Sequence, residues 1–284
     1  KIIKPYLNEN AEITTEANPN SASYEWQEKM YLYGVNRISF GVQSFNPNKL
    51  KFLGRAHNSN SAIKAIQNAN CIGFNGINCD IIYGVKGDDL ALIKHDIDTA
   101  FSLNVTHISA YSLMIEEGTK FYKKDKESKI SKYKIDDEEL SKDIFEYLQK
   151  KDFKQYEISN FARKKEFESK HNYGYWQHQE YLGIGAGAVG YYKNKRVYTQ
   201  KNIQNYIDNP FLYEIEKLSN EDIKIEKILL GLRCNNGVSI DIFNNDEKIK
   251  VDELIKEKKL NKFDNKVYNR DFLLSDELAL YILG

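Results

Sequence analysis

The chain has 284 residues, enough for one large domain and a smaller one. Its 41 lysine and arginine residues equal its 41 aspartate and glutamate residues, so the formal net charge is zero. This balance argues against a nucleic-acid-binding protein, which needs a basic surface for the phosphate backbone. No apolar run approaches the ~20 residues that a transmembrane helix requires, so we expect no membrane span.

Four apolar, β-branched segments with polar ends occur in the first part of the chain, and the stretches between them have helical patterns. They are residues 12–19 (EITTEANP), 37–46 (RISFGVQSFN), 77–86 (INCDIIYGVK) and 107–119 (HISAYSLMIEEGT). Strands that alternate with helices at ~30 residues per unit predict a parallel α/β sheet.

Ligands of parallel sheets collect at the carboxyl ends of the strands. The candidates there are Glu16, Gln43, Asp80 and residues 114–117. An acid, an amide and a second acid from three strands would suit a polar cofactor. A polar residue at a strand end can also be solvated or can cap the next helix, and the pattern alone leaves that alternative open.

The later segments predict an α+β region and a small C-terminal module. Residues 123–137 are a charged surface loop, 136–150 a helix and 153–161 a strand. Further helices are predicted at 221–233, 251–259 and 275–283, the last with Ser275 as its N-cap, and residues 266–274 read as a hairpin or wing strand.

These elements predict three regions. Residues 1–119 form a partial barrel, 120–212 the α+β region and 213–284 a winged-helix-like module. Lysines and acids are interspersed through the last region, which argues against DNA binding.

Several short motifs resemble one family. TEANP, GVQSFN followed by LGRAH, and CDIIYGV look like the radical S-adenosylmethionine family of oxygen-independent coproporphyrinogen III oxidases. YEISNFAR, HNYGYW and YLGIGAGAVGYY resemble its heme-chaperone branch. The resemblance runs from Glu12 to the C-terminus. It implies an incomplete parallel (β/α) barrel of radical S-adenosylmethionine type.

The resemblance also implies a set of S-adenosylmethionine contacts, namely Glu16, Gln43, Arg55 and Asp80, with Met114 near the adenine. The chemistry of these residues is compatible. Carboxylates accept hydrogen bonds from an ammonium or a ribose diol, and a guanidinium forms a forked pair with a carboxylate.

A heme site is implied by the segment that matches the HNxxYW motif of the chaperone branch, formed by His171, Asn172, Tyr175 and Trp176. A neutral imidazole can ligate heme iron, and aromatic rings can flank a porphyrin. The alternative is a structural loop in which His171 satisfies backbone groups and Trp176 packs in a core. His178 is a second possible ligand without support from the family.

The cysteines do not fit the family's CxxxCxxC loop, which holds a [4Fe–4S] cluster. Cys71, Cys79 and Cys234 do not form this motif. The spacing of Cys71 and Cys79 fits neither a cluster nor a zinc site, so we expect these two to fill space in the core. No residue of this chain is assigned as a metal ligand or as catalytic. We expect that the cluster-binding segment precedes Lys1. An odd number of cysteines predicts a reducing, cytoplasmic setting.

Gly185, Gly187 and Gly190 match GxGxxG by letters alone. Because residues 191–199 read as a strand rather than a helix, we reject a dinucleotide site. The glycines are expected to allow a close approach to a flat ligand or to a packed neighbour.

Three functions follow. The leading one is a heme chaperone that binds heme and passes it to a recipient protein. The alternative enzyme would convert coproporphyrinogen III to protoporphyrinogen IX through a 5′-deoxyadenosyl radical, the cofactor doing the difficult chemistry. The third is an inactive scaffold.

Overall fold

The computed structural model describes residues 4–117, 122 and 138–284. The chain divides into two compact units, Lys1–Glu168 and Ser169–Gly284. The predicted region boundaries after residues 119 and 212 stay predictions. The charged loop predicted at 123–137 lies outside the described residues.

The first unit is built on a six-stranded sheet with the order β1-β2-β3-β4-β6-β5. The first four strands run parallel, β6 runs antiparallel to β4, and β5 runs antiparallel to β6. The strands are β1 (Thr14–Ala17), β2 (Arg37–Gln43), β3 (Gly76–Tyr83), β4 (His107–Ser112), β5 (Lys154–Gln155) and β6 (Asn160–Ala162). The predicted fold class, an incomplete parallel barrel, is confirmed.

A helix follows each parallel strand, as the alternating pattern predicts. The helices are α1 (Tyr24–Leu32), α2 (Pro47–Phe52), α3 (Ser59–Ile72), α4 (Leu90–Ser102) and α5 (Glu138–Lys150). The first four each begin after a polar N-cap, namely Ser23, Asn46, Asn58 and Asp89, whose side chain accepts a hydrogen bond from a backbone N–H of the first turn.

The two faces of the sheet differ in chemistry because successive side chains of a strand point to opposite sides. One face is apolar and buried. Its members are Ile38, Phe40, Ile77, Cys79, Ile81, Ile108, Ala110 and Phe161. The other face carries polar side chains, so one face of the sheet belongs to the core and the other offers hydrogen-bonding groups.

Two predictions in this unit are wrong in detail. Residues 153–161 form a hairpin of β5 and β6 rather than one strand, because the chain turns between Tyr156 and Asn160, where Tyr156 N donates to Asn160 O at 3.2 Å. Asp80 lies inside β3, not at its end. The strand continues through Ile81–Tyr83, which pairs with β4.

The second unit contains the helix α6 (Lys170–Trp176), a three-stranded antiparallel sheet and the helix α7 (Ile203–Asp208). The strands are β7 (Val189–Tyr192), β8 (Lys195–Thr199) and β9 (Tyr213–Lys217). The strand predicted at 191–199 is instead a hairpin, because Lys193 and Asn194 adopt positive φ angles of 48° and 59° and form its turn.

The end of the second unit has its own core, which includes Ile228, Leu232, Val251, Val267 and Leu278. Three helices and a second three-stranded sheet form it. The helices are α8 (Asn220–Leu232), α9 (Asn245–Lys256) and α10 (Ser275–Leu283), and the strands are β10 (Val238–Ser239), β11 (Leu260–Phe263) and β12 (Lys266–Asn269). Strand β12 covers the first four residues of the hairpin or wing strand predicted at 266–274, whereas residues 272–274 form a 3-10 helix.

Two helix starts here differ from the prediction. The helix predicted at 251–259 begins at Asn245, because Asn244 and Glu247 form a reciprocal capping box. Ser275 is the first helical residue rather than the N-cap, and its hydroxyl donates to backbone oxygens of Leu232 and Phe272. Within the described ranges, no helix is long and apolar enough to span a bilayer.

Candidate functional site

Polar side chains form two rows across the second face of the large sheet. Strand register aligns Glu16 with Ser39, Ser39 with Asn78, and Asn78 with His107. It also aligns Asp80 with Ser109, and Ser109 with Asn160. Two rows of hydrogen-bonding groups on adjacent strands make this face a candidate ligand site.

Asp80 is the acidic centre of this face. Asn78 Nδ2 donates to Asp80 Oδ1 at 2.7 Å. Burial raises the pKa of Asp80 to about 6, hydrogen bonds from Asn78 and Ser109 oppose that rise, and the charge of Glu16 adds to it. Glu16 itself is exposed. The structure therefore brings these two predicted residues within electrostatic reach of each other, and Asp80 changes its charge near pH 6.

Gln43 and Arg55 lie at the end of β2 and beyond α2. Gln43 is the buried last residue of β2, with a φ of 68°. His57 Nε2 lies 2.9 Å from the backbone oxygen of Val42, so this buried imidazole ties the segment that carries Arg55 to the end of β2. The assignment of Gln43 and Arg55 to a ligand site stays a prediction.

The loop after β2 is anchored by a residue that sequence reasoning missed. Asp96, fully buried on α4, accepts hydrogen bonds from Ser44 Oγ and from the backbone N of Phe45, both at 2.7 Å. An acid on the buried face of an amphipathic helix is the signal that could have revealed it. Met114, by contrast, lies two residues beyond β4 and is 77 % exposed.

Three further residues were missed on the polar face. Asn78 Oδ1 lies 2.6 Å from His107 Nδ1, and His107 Nε2 lies 2.8 Å from Tyr156 Oη. All three side chains are buried. Polar residues at every second position of β3 and β4 (Asn78, Asp80; His107, Ser109) are the signal that could have identified this face.

Glu157 is a wholly buried acid close to this face. Burial raises its pKa to about 7. Within the described part of the chain, its Oε1 and the Oδ1 of Asn160 are buried without a hydrogen-bond partner. Burial also raises the pKa of Tyr111 to about 12, with the charge of Asp80 as the next cause.

The predicted heme motif is helical rather than a loop. Ser169 caps α6 by accepting from the backbone N of Asn172 at 3.3 Å. His171 is exposed in the first turn, and its ring meets Tyr175 edge-on with the centroids 4.8 Å apart. Tyr175 in turn meets Tyr181 edge-on at 4.6 Å. An exposed imidazole at the end of an aromatic stack can ligate iron beside a porphyrin.

Trp176 and His178 are less accessible. Trp176 is half-buried, and its Nε1 is buried without a hydrogen-bond partner among the described residues. His178 Nε2 lies 2.8 Å from Glu226 Oε2, and Glu226 also pairs with Arg196. The ring of His178 meets Tyr191 at 4.5 Å. The Nε2 of His178 is engaged by the Glu226 carboxylate and its ring packs on Tyr191, which favours a structural role for His178.

The glycine-rich segment makes a close backbone crossing. A Cβ on Gly183 would lie 2.4 Å from Val189 O, and one on Gly190 would lie 3.0 Å from Gly183 N. Tyr181 and Tyr191 bridge across the base of the loop. Leu182 and Ile184 project from it with 78 % and 84 % of their surface exposed. The loop therefore presents apolar side chains directly after the tyrosine that ends the stack.

The cysteines do not fit a cluster. Cys79 and Cys234 are buried and belong to different units, whereas Cys71 is exposed on α3, so the prediction that Cys71 fills the core is wrong. The described residues contain no group of three metal-ligating side chains. That the chain as given binds no [4Fe–4S] cluster stays a prediction, which iron and sulfide reconstitution would test.

Comparison with known proteins agrees with this architecture. Residues 1–100 match the radical SAM superfamily. The chain is 36 % identical over 248 residues to the heme chaperone HemW of Bacillus subtilis, covering 84 % of this chain and 64 % of that protein. It is 34 % identical over 253 residues to HemW of Lactococcus lactis, covering 86 % and 65 %. HemN, the coproporphyrinogen III oxidase of Escherichia coli, superposes with a TM-score of 0.77 at 17 % identity, covering 97 % of this chain and 70 % of HemN, which shows a shared fold.

The parallel sheet with its polar face is thus a radical SAM fold. Within that superfamily, the chain is similar to the HemW heme chaperones and shares its fold with HemN. The chain spans slightly less than two thirds of these two relatives.

Proposed function

We propose that the protein binds heme and transfers it to a recipient protein. The observation that carries this proposal is the exposed imidazole of His171, which meets Tyr175 edge-on, while Tyr175 meets Tyr181 edge-on next to the apolar loop of Leu182 and Ile184. Heme needs an axial donor and an apolar, aromatic surface, and this segment supplies both. The similarity to HemW chaperones supports it.

Hemin titration tests the heme site. His171→Ala is expected to weaken hemin binding or to shift the Soret band, because it removes the proposed iron ligand. His95→Ala is a matched control, since His95 is also an exposed histidine but lies on α4. Glu16→Ala should likewise leave the titration unchanged. If His171→Ala titrates like the parent protein, the histidine has a structural role and the heme assignment fails.

The polar face of the large sheet is proposed to bind S-adenosylmethionine through Glu16, Gln43, Arg55 and Asp80. Acidic and amide groups suit its ammonium and ribose hydroxyls, and a guanidinium suits its carboxylate. Met114 remains the proposed adenine contact. Bound S-adenosylmethionine supplies radical chemistry in this superfamily, and the residues described here would orient it.

The pH dependence of S-adenosylmethionine binding tests this second site. A cationic ammonium binds the ionised Asp80, so affinity should rise as the pH passes upward through about 6. Affinity at pH 5 should be roughly tenfold weaker than at pH 7, because about one carboxyl in ten is ionised there. Asp80→Asn should flatten the profile and weaken binding at pH 7. An unchanged profile in that variant would contradict the assignment.

A further inference from the structure

The side-chain amide of Asn78 is held on both sides by buried groups. Its Nδ2 donates to Asp80 Oδ1 at 2.7 Å and to Ser39 Oγ at 2.9 Å. Its Oδ1 lies 2.6 Å from His107 Nδ1 and accepts from Ser109 Oγ at 3.2 Å. An amide group offers two donor hydrogens and two acceptor lone pairs, so every hydrogen-bonding position of Asn78 is used.

When Asp80 is ionised, these contacts determine which partner is the donor in each hydrogen bond from Asp80 to Tyr156. A carboxylate only accepts, so Asn78 must turn its nitrogen toward Asp80 and its oxygen toward His107. His107 must then carry its hydrogen on Nδ1. Burial holds the pKa of His107 well below its usual range, so the ring is neutral and its Nε2 is an acceptor. Tyr156, with its hydroxyl 2.8 Å from that nitrogen, must donate to it.

We propose that His107 and Tyr156 are positioning residues for the S-adenosylmethionine site. They hold the Asn78 amide in the one orientation that donates to Asp80 Oδ1. This hydrogen bond fixes the direction of the carboxylate, so that its other oxygen can accept from the ligand's donors. The inference rests on the proposed binding of S-adenosylmethionine at Asp80. It assigns two residues that contact no ligand themselves and that no motif of the sequence singled out for this role.

The competing explanation is that the same buried groups only stabilise the sheet. In that case, removing the Tyr156 hydroxyl would lower the melting temperature but would leave the titration of Asp80 and the ligand affinity unchanged. The positioning role predicts that both change. Without the donor at Nε2, His107 can move its hydrogen from Nδ1 to Nε2. The oxygen of Asn78 then loses its donor, and only the charge of ionised Asp80 still holds the Asn78 nitrogen in place, so the hydrogen bond to Asp80 is weakened.

The test compares Tyr156→Phe with Tyr147→Phe in the purified protein. Tyr147 is a matched control because its hydroxyl also donates a side-chain hydrogen bond, to the carboxyl group of Asp98 at 2.9 Å, but between α5 and α4. ¹⁵N NMR of histidine-labelled protein should show the Nδ1–H tautomer for His107 in the parent, although free imidazole favours Nε2–H. In Tyr156→Phe the signals should move toward the Nε2–H form.

Two further readouts follow the effect to Asp80. Its carboxyl ¹³C titration midpoint should rise in Tyr156→Phe, because a hydrogen bond that favours the ionised form is weakened. S-adenosylmethionine affinity at pH 7 should fall about threefold to tenfold, the range for loss of one hydrogen bond. Tyr147→Phe should match the parent in both. Asn78→Asp is a second variant that should raise the Asp80 midpoint by placing a like charge beside it.

An Nε2–H tautomer of His107 in the parent would overturn the proposed direction of donation. Equal Asp80 midpoints and equal affinities in Tyr156→Phe and Tyr147→Phe would overturn the positioning role, whatever the melting temperatures. If the parent binds no S-adenosylmethionine, the proposed function fails and takes the ligand role with it. The tautomer and the Asp80 midpoint are measured without ligand, so that failure is distinguishable from a failure of the hydrogen-bond network.

Discussion

At the scale of single residues, Glu157 is the side chain whose ionised form burial most clearly destabilises. Folding removes it wholly from solvent and raises its pKa from 4.5 to about 7. The folded state therefore binds this proton more tightly than the unfolded state does. The contribution of protonated Glu157 to the free energy of unfolding is complete below pH 4.5, declines as the pH rises through 7, and is lost above that.

Glu157→Gln should therefore stabilise the protein above pH 7 and have little effect at pH 4. A shift of this size corresponds to an upper limit of about 3 kcal/mol. The glutamine can also donate to Asn160 Oδ1, which has no partner among the described residues. Thermal melts at pH 4 and pH 8 check this, with exposed Glu166→Gln as the control. An equal effect at both pH values would contradict the assigned burial cost.

The residues of the candidate site divide into those the sequence could reveal and those it could not. Asp80 and Gln43 follow from polar residues in or at the end of apolar strands. Asn78 and His107 share that alternation, but only strand register shows that they are neighbours. Tyr156 comes from a segment 49 residues after His107. Such a contact depends on the antiparallel return of β6, which no local pattern specifies.

At the scale of elements, the buried ion pair of Lys49 and Asp88 fixes α2 to the loop after β3. Their atoms lie 2.9 Å apart, and the side chains are 3 % and 2 % exposed. Asp88 also accepts from the backbone N of Val85 at 3.0 Å. Burial raises the pKa of Asp88, although Lys49 opposes the rise. The pair is therefore costly to separate.

Lys49→Ala should destabilise the protein by about 3–5 kcal/mol, because Asp88 is left as a buried charge without its partner. Replacing both residues by apolar ones (Lys49→Met with Asp88→Leu) should recover much of that loss. Lys142→Ala is the control. It breaks an exposed pair with Glu138 and should cost less than about 1 kcal/mol. Denaturant unfolding measures all three, and equal losses for Lys49→Ala and Lys142→Ala would refute the argument.

The glycine loop in the second unit gives another prediction at this scale. Gly183→Ala should destabilise the loop, because the new Cβ would lie 2.4 Å from Val189 O, a backbone atom that cannot easily move. Gly174→Ala is the matched control. Its nearest neighbour is Gln179 Oε1 at 3.5 Å, and alanine favours a helix over glycine. Circular dichroism melts should show a loss for the first and no loss for the second.

Helices and strands were predicted best where the spacing of the apolar residues and the length of the segment indicate the same type of element. The four parallel strands begin within two residues of the predicted segments but end two to seven residues earlier, and the C-terminal helix at 275–283 matches its prediction. Errors arose where a turn interrupts an alternating run, as at Lys193 and Asn194, or where a cap lies before the apolar pattern begins, as at Asn244. Turn geometry and helix capping depend on contacts among a few neighbouring groups, and the spacing of apolar residues contains no information about them.

At the scale of the whole molecule, the two proposed ligand sites lie in different compact units. The first has an acidic, hydrogen-bonding face, whereas the second has an imidazole, an aromatic stack and an apolar loop. These chemistries suit different ligands, since a heme carries anionic propionates that an acidic face would repel. Neither set of residues contains a member of the other.

The affinity for each ligand should therefore be weakened by a different substitution. Asp80→Asn should weaken S-adenosylmethionine binding and leave the hemin titration unchanged, while His171→Ala should weaken hemin binding and leave S-adenosylmethionine affinity unchanged. Calorimetry for the first ligand and Soret titration for the second, on both variants and the parent, measure all six affinities. If each variant weakens both ligands by a similar factor, the sites are coupled or the variants have lost structure. Equal melting temperatures would then favour coupling, and the assignment of one ligand to each unit would have to be abandoned.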